Sequence, residues 1–232
     1  MPKGYIFFDI GSTLMDGPDI SPASRFAKEL NLSDAQKETI NDFLFTEEIM
    51  HPDLLVSRFK KHLPKISESS DDIIRKIWHA QSKDGFIIDG AIEAIKHVSD
   101  KGYKTGIISN IWHPYYMCFK NLFSDIFDIF DEKILSYEVG HKKPSTDIFR
   151  EALGRIGCWN KKDGFINPGI SAIVGDSYYH DIAPAIKIGM KTIWVMKEKE
   201  REAQFLEKVQ MGTLSPPDFI VSDIKSLKSI EL

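Results

Sequence analysis

Tyr5-Ile6-Phe7-Phe8-Asp9-Ile10-Gly11-Ser12-Thr13-Leu14 begins with four apolar residues, three of them aromatic, and breaks at a carboxylate followed by turn residues. Such a run reads as a strand buried on both faces, and it leaves Asp9 at the strand's carboxyl end. In open α/β sheets ligands bind outside the carboxyl ends of the strands, so an acid placed there faces a cleft rather than the core. The same ten residues also suit a plain turn or a helix cap. What Asp9 does therefore depends on what the remaining chain brings to it.

The chain has 232 residues, enough for a full α/β core and a second, smaller unit. A hydrophobic fraction of 42% and a charged fraction of 28% are those of an ordinary globular protein. A net charge of −4 gives no electrostatic reason to expect nucleic acid or an acidic membrane as a partner. No apolar run approaches the roughly 20 residues that span a bilayer, and the first strand starts directly after Lys3 without a cleavable signal, so the cytoplasm is the expected compartment. Cys118 and Cys158 lack metal-type spacing and are expected to be reduced packing residues.

Two changes of character divide the chain. From Gly17 to about Lys83 the pattern is helical: Ser21-Pro22 starts a segment to Leu30, Ser33-Asp34 caps another through Phe45, a third spans Pro52 to His62, and Ser70-Asp71-Asp72 caps a fourth carrying Ile73, Ile74, Ile77 and Trp78. From Gly85 onward strand and helix alternate, which predicts a parallel sheet. Strands are expected at Lys104 to Ser109, around Lys133 to Leu135, and at Ile170 to Val174, Thr192 to Val195 and Phe219 to Val221. Helices are expected over Ala91 to Asp100, Tyr115 to Leu122, Asp147 to Ile156 and Asp181 to Ile188, then to about Val209 and after the last strand; Trp159 to Gly169 reads as a loop. The predicted architecture is a Rossmann-like parallel sheet with helices on both faces, formed by residues 1–16 and 85–232, with a small all-α unit inserted over 17–84.

Four strand ends or the loops beyond them carry polar residues: Asp9, Ser109-Asn110, Lys143-Pro144, and Asp176 with Asp181 close behind. In this order, with a helical insert between the first two, the pattern resembles the haloacid dehalogenase-like hydrolase superfamily, whose phosphatases form an aspartyl-phosphate. The resemblance covers nearly the whole chain. It rests on Phe8-Asp9 at a strand end, Ile107 to Asn110, Gly140 to Phe149 and Val174 to Ile182, and it implies that 17–84 is a cap over the site. It also implies that Asp9 is the nucleophile and that Ser109, Asn110 and Lys143 bind the phosphoryl group. Asp9, the Gly11 carbonyl, Asp176 and Asp181 would then hold Mg²⁺.

These residue types suit that chemistry. A carboxylate attacks phosphorus only when the phosphoryl charge is neutralised, which Mg²⁺ shared between nucleophile and substrate achieves. Mg²⁺ takes carboxylate, carbonyl and water oxygens. A hydroxyl and backbone N–H groups can donate to phosphoryl oxygens, and Lys143 supplies a fixed cation on a loop whose removal is expected to leave the fold intact. His113, His141 and His180 share no i, i+4 spacing and read as loop polar groups, while Trp112, Tyr115, Tyr116, Tyr178 and Tyr179 read as packing or cleft lining.

One position departs from the pattern. The family's phosphatases carry a second Asp two residues after the nucleophile, where this chain has Gly11. That carboxylate moves protons to the leaving oxygen and from the hydrolytic water, work of roughly 10²–10⁴-fold. Three readings follow: a Mg²⁺-dependent phosphatase of a small phosphorylated metabolite with weak turnover; a relative with other chemistry, either a metal-free dehalogenase or a phosphonatase with Lys60 or Lys61 as its Schiff-base lysine; or a binding or regulatory protein on the same scaffold.

Overall fold

The structure is a computed structural model that describes residues 2–18, 20–197 and 199–231, with Lys199 by its backbone alone. After β1 (Tyr5–Phe8) come β2 (Met15–Asp16) and four helices, α1 (Pro22–Glu29), α2 (Asp34–Thr46), α3 (Pro52–His62) and α4 (Asp71–Gln81). Then β3 (Phe86–Ile87) returns antiparallel beside β2. The alternating part runs α5 (Ala91–Asp100), β4 (Lys104–Ser109), α6 (His113–Leu122), β5 (Phe130–Leu135), α7 (Ser136–Val139) and α8 (Thr146–Arg155). It continues through β6 (Trp159–Asn160), β7 (Gly164–Phe165), β8 (Ser171–Gly175), α9 (Ala183–Lys187), β9 (Lys191–Val195), α10 (Lys199–Gln210) and β10 (Phe219–Val221).

Six of these strands form one parallel sheet in the order β10-β9-β8-β1-β4-β5, a Rossmann-like α/β arrangement. The chain places β4 and β5 on one side of β1 and β8, β9 and β10 on the other, so the direction of winding reverses at β1. Ligands bind in the crevice at such a reversal. Alternation along β1 supplies both faces: Ile6 and Phe8 pack with α5 and α6, whereas Phe7 packs with α8 and α9 through Phe149 and Ala185. All three side chains are almost fully buried, so a one-residue slip would turn each to the wrong face. Register then aligns the strand ends, with Phe8 opposite both Ile107 and Val174, and Asp9, Asn110 and Asp176 emerge along one edge.

The four helices after β2 bury a cluster of their own. Phe26, Phe43 and Phe59 meet at ring distances of 4.8 and 5.3 Å, worth about 0.5–1.5 kcal/mol per pair beyond burial. Trp112, from the loop between β4 and α6, joins this cluster 5.7 Å from Trp78 and ties the helices to the sheet. Ser21 and Ser33 cap α1 and α2 as expected, and Ser33 forms a capping box with Gln36.

Several expectations are corrected. Ser70 does not cap α4 with its side chain; a 3₁₀ turn over Glu68–Ser70 precedes the helix and Ser67 caps that turn. Ile170 lies in a 3₁₀ turn over Pro168–Ile170, so β8 starts at Ser171, and the expected loop before it contains the β6–β7 hairpin. A π-turn over Tyr178–Ile182 precedes α9, and the last helical segment is 3₁₀ over Ile224–Ser229. The β2–β3 pair has no counterpart in the sequence pattern, because two-residue strands show no period. Cys118 and Cys158 are free and buried, and no helix among the described residues is long and apolar enough to cross a membrane.

Candidate active site

Asp9, Asp176 and Asp181 converge at the carboxyl edge of the sheet, each offering one oxygen within 4.8 Å of the others. Asp9 follows β1 and donates its backbone N–H to Val174, which locks it against β8. Asp176 follows β8, and its backbone carbonyl accepts from Trp194 Nε1 at 3.0 Å. Asp181 is delivered by the π-turn, where its Oδ2 accepts from the Ser177 N–H at 3.1 Å. Gly175 makes room for it: a Cβ at that position would stand 2.4 Å from Asp181 Cγ, closer than such atoms ever approach.

Lys143 enters from the loop before α8. Its Nζ donates to Asp9 Oδ1 at 2.6 Å, to Asp181 Oδ1 at 2.5 Å and to the Ile108 carbonyl at 3.1 Å. The side chain is only 3% exposed, so Lys143 is a buried cation and not a solvated loop charge, which removes the expectation that its loss leaves the fold intact. Asn110 holds that loop in place, donating to the Lys143 carbonyl at 2.8 Å and accepting from the Lys143 N–H at 2.7 Å. Burial works against the ammonium, but Asp181 and Asp9 outweigh it and keep Lys143 protonated well above the ordinary lysine range. Burial pushes Asp176 above the ordinary carboxylate range, with the charges of Asp181 and Asp9 adding and Arg201 opposing. Asp181 is also raised by burial, against the pull of Lys143.

A cavity of about 670 Å³ opens on Asp9, Gly11, Asn110, Lys143, Asp176 and Asp181. The site residues expected from the sequence are thus brought together, except that Ser109, 1% exposed at the end of β4, is not on the cavity wall. His180 does line it, with its ring nitrogen 3.2 Å from Ser177 Oγ, whereas His113 stacks on Trp78. Lys60 bonds Asp71 on the surface and neither it nor Lys61 reaches the cavity, which removes both as Schiff-base lysines. Two participants had no sequence signal. Thr13 donates to Asp176 Oδ1 at 3.2 Å, and Arg201 on α10 bonds Asp176 Oδ2. Arg201 belongs to a charged helix that reads as a solvated face, and only packing against the site distinguishes it.

The family profile described as haloacid dehalogenase-like hydrolase matches residues 4–189, from before β1 to the end of α9. The chain belongs to that family. This haloacid dehalogenase-like hydrolase is 34% identical over 139 residues to a Methanothermobacter thermautotrophicus protein named glyceraldehyde 3-phosphate phosphatase. That match covers 57% of the chain and spans about half, 53%, of the relative's length. A protein of the same name from Pyrococcus furiosus is 25% identical over 97% of the chain and 91% of its own length. The crystal structure of a HAD phosphatase from Thermococcus onnurineus has the same fold, with a TM-score of 0.58 at 20% identity over 97% of this hydrolase and 96% of that chain.

Proposed function

We propose that the chain is a Mg²⁺-dependent phosphatase acting on a small phosphorylated metabolite, with Asp9 as phosphoryl acceptor. The observation that carries this reading is the pairing of Asp9 with the buried ammonium of Lys143, beside two further carboxylates at the point where the sheet reverses. The names of the two archaeal relatives support a phosphorylated metabolite as substrate.

The donor set fits Mg²⁺, because every side-chain ligand on offer is a carboxylate oxygen and burial leaves two of them short of positive charge. Asp9, Asp176, Asp181 and the Gly11 carbonyl would hold the ion, which when bound neutralises phosphoryl charge. An Asp9 oxygen attacks phosphorus and the ester P–O bond breaks, leaving an aspartyl-phosphate and an alkoxide that takes a proton. Water then attacks that phosphorus and releases inorganic phosphate and the Asp9 carboxylate. Lys143 orients Asp9 and stabilises charge gathered in both transfers, with Asn110, on the cavity wall, completing the phosphoryl cradle. Gly11 brings no proton-transfer group, so turnover is slow.

Residues 17–84 serve as the cap and 1–16 with 85–232 as the core, and closure of one on the other keeps bulk water from the aspartyl-phosphate. Two buried free thiols suit a reducing compartment, the cytoplasm. Phosphate release from a panel of small phosphate monoesters, with and without Mg²⁺ and with an Asp9→Asn control, tests the reading. No Mg²⁺-dependent release from any of them would reject it.

A further inference from the structure

A second cavity, of about 180 Å³, adjoins the first and shares Gly11, Ser12, Ser21 and Asn110 with it. Its walls come from both layers: Phe45 and Gln81 from the helices, Trp112 and Tyr115 from the sheet side. A group esterified to a phosphate at Asp9 has this space beside it.

Two side chains lining the cavity are buried and polar, and among the described residues that line it Trp112 Nε1 is a fully enclosed polar atom without a hydrogen bond. Trp112 is 2% exposed, and its Nε1–H makes no hydrogen bond among the described residues. Gln81 is 3% exposed and lines the same cavity, and its amide is not fully enclosed, so it is open to a partner there. Buried donors without acceptors are rare because each forfeits its bonds to water. The other tryptophan indole buried near the site, Trp194, is satisfied by the Asp176 carbonyl, so an orphan N–H is not a general feature of this core. An apolar residue in place of Trp112 would fill the same space without that cost. Trp112 can only donate and so demands an acceptor oxygen, while the Gln81 amide both donates and accepts, as a hydroxyl or carbonyl partner requires.

We propose that Trp112 and Gln81 are specificity residues that hydrogen-bond the leaving group, and that the substrates are phosphate monoesters of short hydroxy or oxo compounds. At about 30 Å³ per water-sized group the cavity takes roughly six heavy atoms, the size of a three-carbon leaving group with its hydroxyls. A site built to bond a hydroxyl rejects the analogue without it, since the protein's own polar groups are then left unpaired. The inference rests on Asp9 as phosphoryl acceptor, because that places the ester oxygen at the cavity mouth.

Calorimetric binding to an Asp9→Asn protein in Mg²⁺ tests it with glycerol 1-phosphate, propyl phosphate and inorganic phosphate. The two esters have the same carbon chain and differ in the hydroxyls. Glycerol 1-phosphate is expected to bind at least tenfold more tightly than propyl phosphate. Adding Trp112→Phe or Gln81→Leu should remove most of that preference while leaving inorganic phosphate affinity unchanged. Equal binding of the two esters, or a preference that survives both substitutions, overturns the proposal and assigns the orphan groups to water. Because Asp9→Asn protein cannot turn over, the binding preference is read independently of phosphate release by the wild type. A chain that shows the preference but releases no phosphate refutes the catalytic reading alone. Should Trp112→Phe fail to fold, Gln81→Leu decides.

Discussion

The guanidinium of Arg201 on α10 is bonded to Asp176 Oδ2, one of the three carboxylates that converge on the site. Arg201 thereby supplies a cation at one of the proposed metal ligands, and a bound Mg²⁺ would compete with it for the same oxygen. Arg201→Gln should lower the Kd for Mg²⁺ about threefold to tenfold, read by calorimetry without substrate, because an opposing positive charge is removed. A Kd unchanged or raised in that variant would mean that α10 does not contend with the metal.

Asp176 and Asp181 titrate above the ordinary carboxylate range, so the folded state holds their protons more tightly than the unfolded chain does. For the metal-free protein the sign follows: their contribution is fully present below the unfolded value near 4 and is lost as pH rises through the higher folded values toward neutrality. Asp176→Asn should therefore raise the metal-free melting temperature by about 2–6 °C at pH 7.5 and much less at pH 5. The lost ion pair with Arg201, 43% exposed on the arginine side and 8% on the carboxylate side, offsets about 0–1 kcal/mol of this gain. The same variant should lose the Mg²⁺-induced rise in melting temperature shown by the wild type. A rise that persists would remove Asp176 from the metal site.

Lys143 is held by two carboxylates and a carbonyl, and its removal leaves Asp9 and Asp181 buried without a counter-ion. Lys143→Met should destabilise the fold by about 3–5 kcal/mol in urea denaturation. Adding Asp181→Asn should recover part of the loss, because one unpaired charge is then gone. Additive effects in the double variant would show that the pair is not energetically coupled.

Gly11 can receive a side chain. A Cβ there meets nothing within 4 Å, and the left-handed backbone position in this turn is taken by Ser12 at φ 55°. Gly11→Asp should raise kcat for phosphate monoesters by about tenfold to a thousandfold while leaving Mg²⁺ affinity within a few-fold, since proton transfer acts on the transition state. A folded, Mg²⁺-binding Gly11→Asp protein with no gain would falsify the idea that one absent carboxylate limits turnover.

The alternation after Gly85, the run that becomes β1 and the polar residue at each strand end were legible in the chain alone. Each is a local signal: a period, a break, or a residue type at a boundary, set by backbone geometry and burial over a few neighbours. Asp9, Asn110, Lys143 and Asp176 could be singled out for that reason, because parallel strands in register must deliver their ends to one edge. The family resemblance puts Lys143 close to Asp9, 134 residues away, and the two do meet. That Lys143 also holds Asp181, and that Thr13 meets Asp176 across 163 residues, is encoded by no local pattern. Arg201 is one cation among several on a polar helix, Trp112 reads as packing or cleft lining, and Gln81 carries no signal of its own. Whether such a group is solvated, paired or left without a partner depends on how distant elements close around it. Only the packing of the helices on the sheet determines that.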